Sequence, residues 1–147
     1  MSDSQAAPAA APMHLWIVGI LALLWNAMGA WGYTMTMTKN EAAMSEYTPE
    51  QIEYAYSMPT WAVACYATAV WFGVLGSLLL LLRKRLAAPV FVVSFIAMVA
   101  TMVWNHILTS ARDVMGDSAL AFGAAIFVVA LLLAIYSRKM CAKGVLR

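Results

Sequence analysis

The chain has 147 residues, of which 64% are hydrophobic and only 11% are charged, whereas about 25% are charged in a typical soluble domain. This composition excludes an ordinary soluble protein and predicts a protein embedded in a lipid bilayer. A formal net charge of +2 gives no indication of a nucleic-acid partner, so the placement of the charges matters more than their sum.

Four apolar stretches are each long enough to cross a hydrocarbon core about 30 Å thick, which takes about 20 helical residues. The predicted architecture is therefore an all-α integral membrane four-helix bundle at residues 13–138, with a disordered tail before it at residues 1–12 and a basic cytoplasmic tail after it at residues 139–147. The predicted spans are residues 13–36, 59–82, 86–108 and 118–136.

The basic residues predict the orientation of the spans, because Lys and Arg accumulate on the cytoplasmic side of short loops. Most of them lie between spans two and three and after span four, and the clearest are Arg83, Lys84, Arg85, Arg138 and Lys139. The first loop instead carries four glutamates and one lysine. Both termini are therefore predicted to be cytoplasmic.

A polar side chain lies near the middle of span one. Ala22, Asn26 and Ala30 are spaced four apart, so they share one stripe of the helix, with the amide between two small side chains. Such a stripe is expected to face protein, because small residues let helices approach closely and an Asn can hydrogen-bond across the contact. Asn26 is therefore either a link between helices or a contact for a polar ligand inside the bundle.

The first outer loop contains a helix-start signal. The sequence Thr-Pro-Glu-Gln at residues 48–51 combines a Thr cap, a proline in the first turn, an acidic residue and a Gln at the capping-box position. A short amphipathic helix is predicted to follow, to about Ser57. Its residues Ile52, Ala55 and Tyr56 are expected to lie on the membrane surface, with the glutamates facing water.

Span two carries small residues at helical spacing. Cys65, Ala69, Gly73 and Ser77 follow one another at intervals of four, so they form a groove along one side of the helix. Another helix is expected to pack in this groove, since small side chains allow a close approach.

Span three repeats this spacing with polar residues. Ala97, Thr101 and Asn105 lie four apart, and His106 follows. Asn105 should lie about 9 Å nearer the outer surface than Asn26, at roughly 1.5 Å of rise per residue. We therefore expect no direct contact between the two amides. We expect instead a polar track, which we define as Asn26, Thr101, Asn105 and His106. His106 either anchors the helix end in the interface or binds a polar head group or a quinone ring.

Other chemistries have little support in the sequence. His14 and His106 fall at opposite ends of the bundle, so they cannot ligate one haem, and Cys65 and Cys141 differ in depth, so no disulfide is expected. No ionisable side chain lies in the middle of a span, which disfavours ion-coupled transport. No catalytic arrangement, cofactor or metal site is predicted.

Five short motifs are spread over nearly the whole chain. They are Trp-Asn-Ala-Met-Gly-Ala at residues 25–30, Thr-Pro-Glu-Gln at 48–51, Pro-x-Trp at 59–61, Gly-Ser with five leucines and an arginine at 76–83, and Ala-Pro-Val at 88–90. Together they resemble a group of small four-span proteins of the bacterial inner membrane, which are often labelled as sugar transporters. The resemblance implies the four-span fold and an inner-membrane location. The chain differs at Gly32, where the group tends to place an acidic residue.

Two hypotheses of function follow. In the first, the chain is a non-enzymatic accessory or structural subunit whose small-residue grooves dock on another membrane protein. In the second, it is a carrier or channel for a small neutral, sugar-type solute, lined by the polar track and acting as a homo-oligomer because four helices enclose little space. The predicted partners are the lipid bilayer and either a membrane-protein partner or further copies of the chain, with no nucleic acid and no cofactor.

Overall fold

A computed structural model describes residues 9–147. Within this range every regular element is a helix and none is a strand, which confirms the all-α prediction. Four helices are long and apolar enough to cross a membrane, and three short helices lie in the loops. The elements are α1 (Met13–Met37), α2 (Glu41–Met44), α3 (Pro49–Tyr56), α4 (Thr60–Leu81), α5 (Ala87–Val103, continued by a π-helical turn, Trp104–Leu108), α6 (Ala111–Met115) and α7 (Asp117–Ala142).

The four long helices pack in order along the chain and leave one side of the bundle open. α1 packs on α4, α4 on α5 and α5 on α7, whereas α1 and α7 are not closely packed. Two side-chain contacts bridge them: His14 Nδ1 lies 2.6 Å from the Tyr136 hydroxyl, and the ring centroids of Trp25 and Phe122 are 6.1 Å apart. We call this open side the α1–α7 gap.

α1 and α4 approach each other closely at Asn26. The side chain of Asn26 lies directly on Gly73, where a Cβ would overlap Oδ1. Its Nδ2 donates to the Ala22 carbonyl oxygen at 2.8 Å and to Ser77 Oγ at 3.4 Å. The Ser77 hydroxyl donates in turn to the Gly73 carbonyl oxygen at 2.8 Å. Asn26 thus links two helices and avoids the cost of an unpaired buried amide.

The stripe of small residues on α4 is shared between two neighbouring helices. One part faces α1, as described above. On the other part, the Ala69 carbonyl oxygen accepts a 2.6 Å hydrogen bond from the Ser94 hydroxyl of α5. Gly76 also lies against α5, because a Cβ there would be 3.0 Å from the Phe91 ring. The groove expected on span two is therefore filled largely from within the same chain.

The basic end of the bundle is the end that carries residues 83–85 and 138–147. α4 ends there with Arg83 in the left-handed region, at φ 57°, and the N–H groups of Arg83 and Lys84 return to carbonyl oxygens of the last turn. α7 continues to Ala142, six residues beyond Tyr136, where span four was predicted to end. Gly144, at φ 70°, then turns the chain back toward the bundle.

Residues 145–147 pair with the turn between α4 and α5. The Arg147 N–H donates to the Arg83 carbonyl oxygen at 2.7 Å, and the Arg83 guanidinium donates to the Val145 carbonyl oxygen at 3.1 Å. The side chain between them, Leu146, enters a cluster of buried apolar residues that closes the basic end. The largest fully buried apolar side chains of this cluster, which we call the basic-end cluster, are Leu15, Leu80 and Leu146.

The described part of the N-terminal tail packs at the same end. Ala9 and Ala11 lie against the basic-end cluster, and the Arg83 guanidinium donates to the Ala9 carbonyl oxygen at 2.7 Å. Residues 9–12 are therefore held against the bundle, whereas disorder was predicted for residues 1–12, because two small side chains find apolar surface here. Residues 1–8 lie outside the described residues. The cytoplasmic placement of this end stays a prediction.

The loop end of the bundle, residues 38–59, contains the predicted short helix. Thr48 Oγ1 accepts a 3.3 Å hydrogen bond from the Gln51 N–H, and Gln51 Oε1 accepts one of 3.1 Å from the Thr48 N–H. The capping box and the helix α3 are thus confirmed. The orientation of α3 differs from the expectation in part: Ile52 and Ala55, which were expected on the membrane surface, are half-buried and line the cavity described below. Tyr56 is exposed, with its ring centroid 4.8 Å from Lys39 Nζ, and Tyr54 points toward α5.

Candidate ligand cavity

A cavity of about 640 Å³ lies inside the bundle, toward the loop end. Its walls are formed by α1, α4, α5 and α7, and residues of α3 and α6 cover it. The whole predicted polar track lines this one cavity: Asn26, Thr101, Asn105 and His106. The volume lies within the roughly 300–1,000 Å³ that is typical of small-molecule sites.

The lining of the cavity is mainly apolar and, among the described residues, includes no Lys, Arg, Asp or Glu. Methionine is the most conspicuous contributor, because eight of the chain's 11 methionines take part. They are Met28, Met35, Met37, Met44, Met58, Met98, Met102 and Met115. Methionine side chains are flexible and polarizable, so a surface built from them adapts to the shape of an apolar guest.

A polar cluster at the loop end of the cavity joins α3 to the π-helical turn. The Tyr54 hydroxyl donates to Asn105 Oδ1 at 3.0 Å and lies 2.8 Å from Thr109 Oγ1. The Thr109 hydroxyl donates to the Trp104 carbonyl oxygen at 2.8 Å, and the Tyr54 ring lies 5.2 Å from the Trp104 ring between centroids. We call Tyr54, Asn105 and Thr109 the polar cluster. It holds the cover of the cavity on α5.

The π-helical turn places His106 beside the cavity. A π-turn has one more residue per hydrogen-bonded ring than an α-turn and frequently occurs at functional sites. A Cβ on Gly123 of α7 would lie 3.4 Å from His106 Nε2 and 3.7 Å from the Met102 methyl carbon. The imidazole therefore lies against α7, and the residue is exposed at the edge of the cavity. In the described part of the chain His106 makes no side-chain hydrogen bond, unlike the other members of the polar track.

The other polar groups of the track are bonded within the chain. The Thr101 hydroxyl donates to the Ala97 carbonyl oxygen at 3.0 Å, and Asn105 Nδ2 donates to the Thr101 carbonyl oxygen at 3.2 Å. Asn26 bonds α4 as described above. The track is thus brought together in space, but His106 is the member best placed to bond a guest.

Most residues predicted to pack helices lie in helix contacts. Ala22, Ala30, Ala69, Gly73, Ser77 and Ala97 are buried. Cys65 is only half-buried and lies at a shallow groove on the outer surface between α4 and α5. We call this the α4–α5 groove, and its residues are Ala64, Cys65, Thr68, Val93, Ile96, Ala97 and Ala100. The orientation residues Arg83, Lys84, Arg85, Arg138 and Lys139 all lie at the basic end.

Several residues of the cavity were not singled out from the sequence. Tyr54 looks like one of several loop tyrosines, and Phe122 like one of many apolar residues of span four. Gly123 carries no local sign that it faces a histidine. Only the methionines could have been found from the sequence, because Met98 and Met102 lie one helical turn apart on the same helix as Thr101 and Asn105.

No family model, curated protein or solved structure matches the chain. Among the described residues there is also no group of three or more His, Cys, Asp or Glu side chains that could hold a metal ion. The cavity and its lining are therefore the basis for a functional proposal.

Removing the Tyr54 hydroxyl should loosen the cover of the cavity. In Tyr54→Phe the ring stays, but the bonds to Asn105 and Thr109 are lost, so we expect the free energy of unfolding to fall by about 1 kcal/mol. Burial raises the pKa of the Tyr54 hydroxyl, and the Thr109 hydrogen bond lowers it in part. Because the pKa of the Tyr54 hydroxyl is raised in the folded state, its contribution to the free energy of unfolding is complete below the ordinary tyrosine pKa of about 10. This contribution is lost as the pH rises through the folded-state pKa.

The measurement is unfolding in mixed detergent micelles between neutral pH and about pH 11. Wild type should lose its advantage over Tyr54→Phe above about pH 10. Tyr56→Phe is the matched control, because Tyr56 lies on the same helix but is exposed. Equal stability of the two variants at neutral pH would show that the polar cluster contributes nothing.

Proposed function

We propose that this chain is a non-enzymatic membrane protein that binds an uncharged, mainly apolar small molecule in its central cavity. The observation that carries the proposal is a cavity of about 640 Å³ whose lining is apolar, aromatic and rich in methionine, without a charged side chain among the described residues. Pockets of this size and character, with a few polar groups at one place, are typical of small-molecule sites.

A sugar-type solute is less well supported than an apolar one. Each buried hydroxyl of a sugar needs a hydrogen-bond partner, because leaving it unpaired costs roughly 1–3 kcal/mol. The Thr101 hydroxyl, the Asn26 amide and the Asn105 amide already bond within the chain. The cavity therefore has few groups to spare for a polyhydroxylated guest, and the carrier hypothesis is better stated for an apolar solute.

A continuous pore is also less well supported than a binding site. Toward the basic end the interior is filled by the basic-end cluster, in which Leu15, Leu80 and Leu146 are fully buried. The covering residues at the other end come from α3 and α6. This arrangement favours a chamber that holds one guest over a channel that crosses the membrane.

The proposal is tested by photolabelling the protein in phosphatidylcholine nanodiscs with trifluoromethyl-phenyldiazirine, a small neutral probe. Labelling from the lipid phase rises in proportion to the probe, whereas labelling inside a cavity saturates. We expect a saturable component on peptides of α5 and α7. Gly123→Leu, which adds side-chain volume beside His106, should abolish that component.

Two further variants make the test decisive. Ala124→Leu is the matched control, since it adds nearly the same volume at an exposed neighbour on α7 and should leave saturable labelling unchanged. Ala130→Leu, a second cavity-lining position on α7, should act like Gly123→Leu if that variant unfolds. Proportional labelling in the wild type would overturn the proposal.

The accessory-subunit hypothesis is kept as a second proposal because of the α4–α5 groove. Its small side chains suit the close approach of a transmembrane helix from another protein. Such a helix could not enter the cavity: 20 residues form a cylinder about 30 Å long and at least 10 Å wide, or roughly 2,400 Å³. Ala100→Leu adds volume in the α4–α5 groove, so we expect it to release a stoichiometric partner when the complex is extracted in mild detergent and weighed. Ala124→Leu should not release the partner.

We also propose a bacterial inner-membrane location with both termini in the cytoplasm. Support comes from the clustering of basic side chains at one end of the bundle and of glutamates at the other, together with the resemblance noted above. The topology is tested with single-cysteine variants and a membrane-impermeant thiol reagent in intact cells. Reaction of Lys143→Cys from outside would contradict this topology.

A further inference from the structure

The α1–α7 gap gives the cavity a side that faces the bilayer. The other three helix contacts are close, whereas α1 and α7 are joined by the His14–Tyr136 and Trp25–Phe122 contacts without close packing. α7 is also the least enclosed helix: 11% of its most apolar window is buried, against 39% for α5 with its π-turn. This loosely packed contact is the side of the cavity through which a molecule dissolved in the hydrocarbon would enter without passing through water.

The lining limits the charge of such a molecule. A phosphate or a carboxylate inside the cavity would find no Lys or Arg among the described lining residues, and an unpaired charge in an apolar site is far more costly than an unpaired hydroxyl. A bilayer molecule that fits must have an uncharged head. This excludes the common phospholipids and leaves neutral lipids with carbonyl or hydroxyl groups.

The distribution of polar groups sets the position of that head. His106 lies at the edge of the cavity, against Gly123 and near Met102, and it directly follows Asn105 of the polar cluster in the chain. Toward the basic end the lining becomes apolar, with Phe91 and Leu133. A head that accepts a hydrogen bond therefore belongs beside His106, with the chain running along α7.

Aromatic side chains favour a flat head over a branched one. Trp25 and Phe122 make a contact that bridges the α1–α7 gap, and both also line the cavity together with Tyr54 and Tyr66. Aromatic rings contact one another at centroid distances of about 4.5–7 Å in stacked or tilted arrangements. Flexible methionines fill the remaining surface and adapt to a planar ring.

From these four features we infer that the guest is a bilayer lipid of the quinone class, an uncharged ring with an apolar chain. It enters through the α1–α7 gap and accepts a hydrogen bond from His106 at a ring carbonyl. This inference rests on the proposed function, because it names the class of molecule that occupies the same cavity. It assigns no redox step to the protein.

The test is competition between decylubiquinone and the photoreactive probe in nanodiscs of phosphatidylcholine prepared without quinone. Decylubiquinone should displace the saturable labelling, and dodecanol, with a chain but no ring, should do so more weakly. In His106→Phe, which keeps a ring but removes the donor, half-displacement by decylubiquinone should need about 2- to 10-fold more quinone, which is the value of one hydrogen bond. Saturation by the probe itself should not change.

Trp71→Phe is the matched control, because it also keeps a ring and removes an N–H donor, but at an exposed position of α4 that does not line the cavity. It should leave half-displacement at the wild-type value. Saturable labelling that decylubiquinone does not displace would overturn the quinone assignment while leaving the cavity proposal in place. An unchanged half-displacement in His106→Phe would overturn the role of His106. Absence of saturable labelling would overturn the proposed function itself.

Discussion

Gly73→Ala should lower the free energy of unfolding by about 3 kcal/mol, the upper part of the usual range for overpacking a well-filled contact. The added Cβ would overlap Asn26 Oδ1. The amide cannot simply turn away, because its Nδ2 is held by the Ala22 carbonyl oxygen and by Ser77 Oγ. Relief therefore requires α1 and α4 to separate. Reversible unfolding in mixed micelles of a mild detergent and dodecyl sulfate measures the loss.

The source of this loss is shown by a double-mutant cycle with Asn26→Ala. Truncating Asn26 removes the atom that the new Cβ would meet, so Gly73→Ala in that background should cost close to nothing. Gly32→Ala is the matched control, because Gly32 also lies in a long helix but has no atom within 4 Å of a built Cβ. The same cost for Gly73→Ala in both backgrounds would mean that the glycine is needed for another reason.

This contact shows which part of the architecture was accessible from sequence. The spacing of Ala22, Asn26 and Ala30 predicted a stripe that faces protein, and the spacing of Gly73 and Ser77 predicted a groove. The stripe and the groove pack on each other because helix periodicity places small side chains on one face of each helix. The capping box of α3 was predicted for a similar reason, since cap chemistry involves residues only three apart.

The open side of the bundle could not be predicted. In a soluble helix, hydrophobic periodicity distinguishes the buried face from the exposed one, but a helix in lipid is apolar on both. Ile126 lines the cavity and Val128 is exposed, yet nothing in their sequence separates them. Which pair of helices fails to pack closely is therefore decided by tertiary geometry alone.

The candidate site was predicted in part, and for a physical reason. Asn26, Thr101, Asn105 and His106 were chosen because polar groups at membrane depth must be satisfied by protein, and they do line one cavity. Tyr54 was missed, because its contact with Asn105 joins residues 51 positions apart.

The pair Trp-Asn occurs in two of the long spans, as Trp25-Asn26 and Trp104-Asn105, and the two tryptophans make different contacts. Trp104 is buried beneath Tyr54, with the two ring centroids 5.2 Å apart. Trp25 instead bridges the α1–α7 gap by its contact with Phe122. The same two residue types therefore serve different contacts in spans one and three, because each contact depends on which helix lies opposite.

Leu146→Ala should destabilise the protein by about 2–5 kcal/mol, the usual cost of truncating a fully buried leucine. Leu146 has no exposed surface, and the hydrogen bonds on either side of it, from Arg147 N–H to Arg83 and from Arg83 to Val145, hold the backbone in place. Residue 146 is therefore packed in the protein and is not part of a solvated basic tail. The cavity left by the missing methyl groups would not collapse easily, because the backbone around it is fixed.

Leu82→Ala is the matched control, because Leu82 lies at the same end of the bundle but is 67% exposed, so its truncation should change unfolding by less than about 0.5 kcal/mol. Equal and small effects of both variants would show that residues 145–147 do not seal the basic end. The chamber would then be open from the basic end as well as through the α1–α7 gap. A large loss for Leu146→Ala alone, with saturable probe labelling retained in the surviving folded protein, would instead separate the seal from the binding site. The basic-end cluster would then determine the stability of the protein, and the lining near His106 would determine binding of the guest.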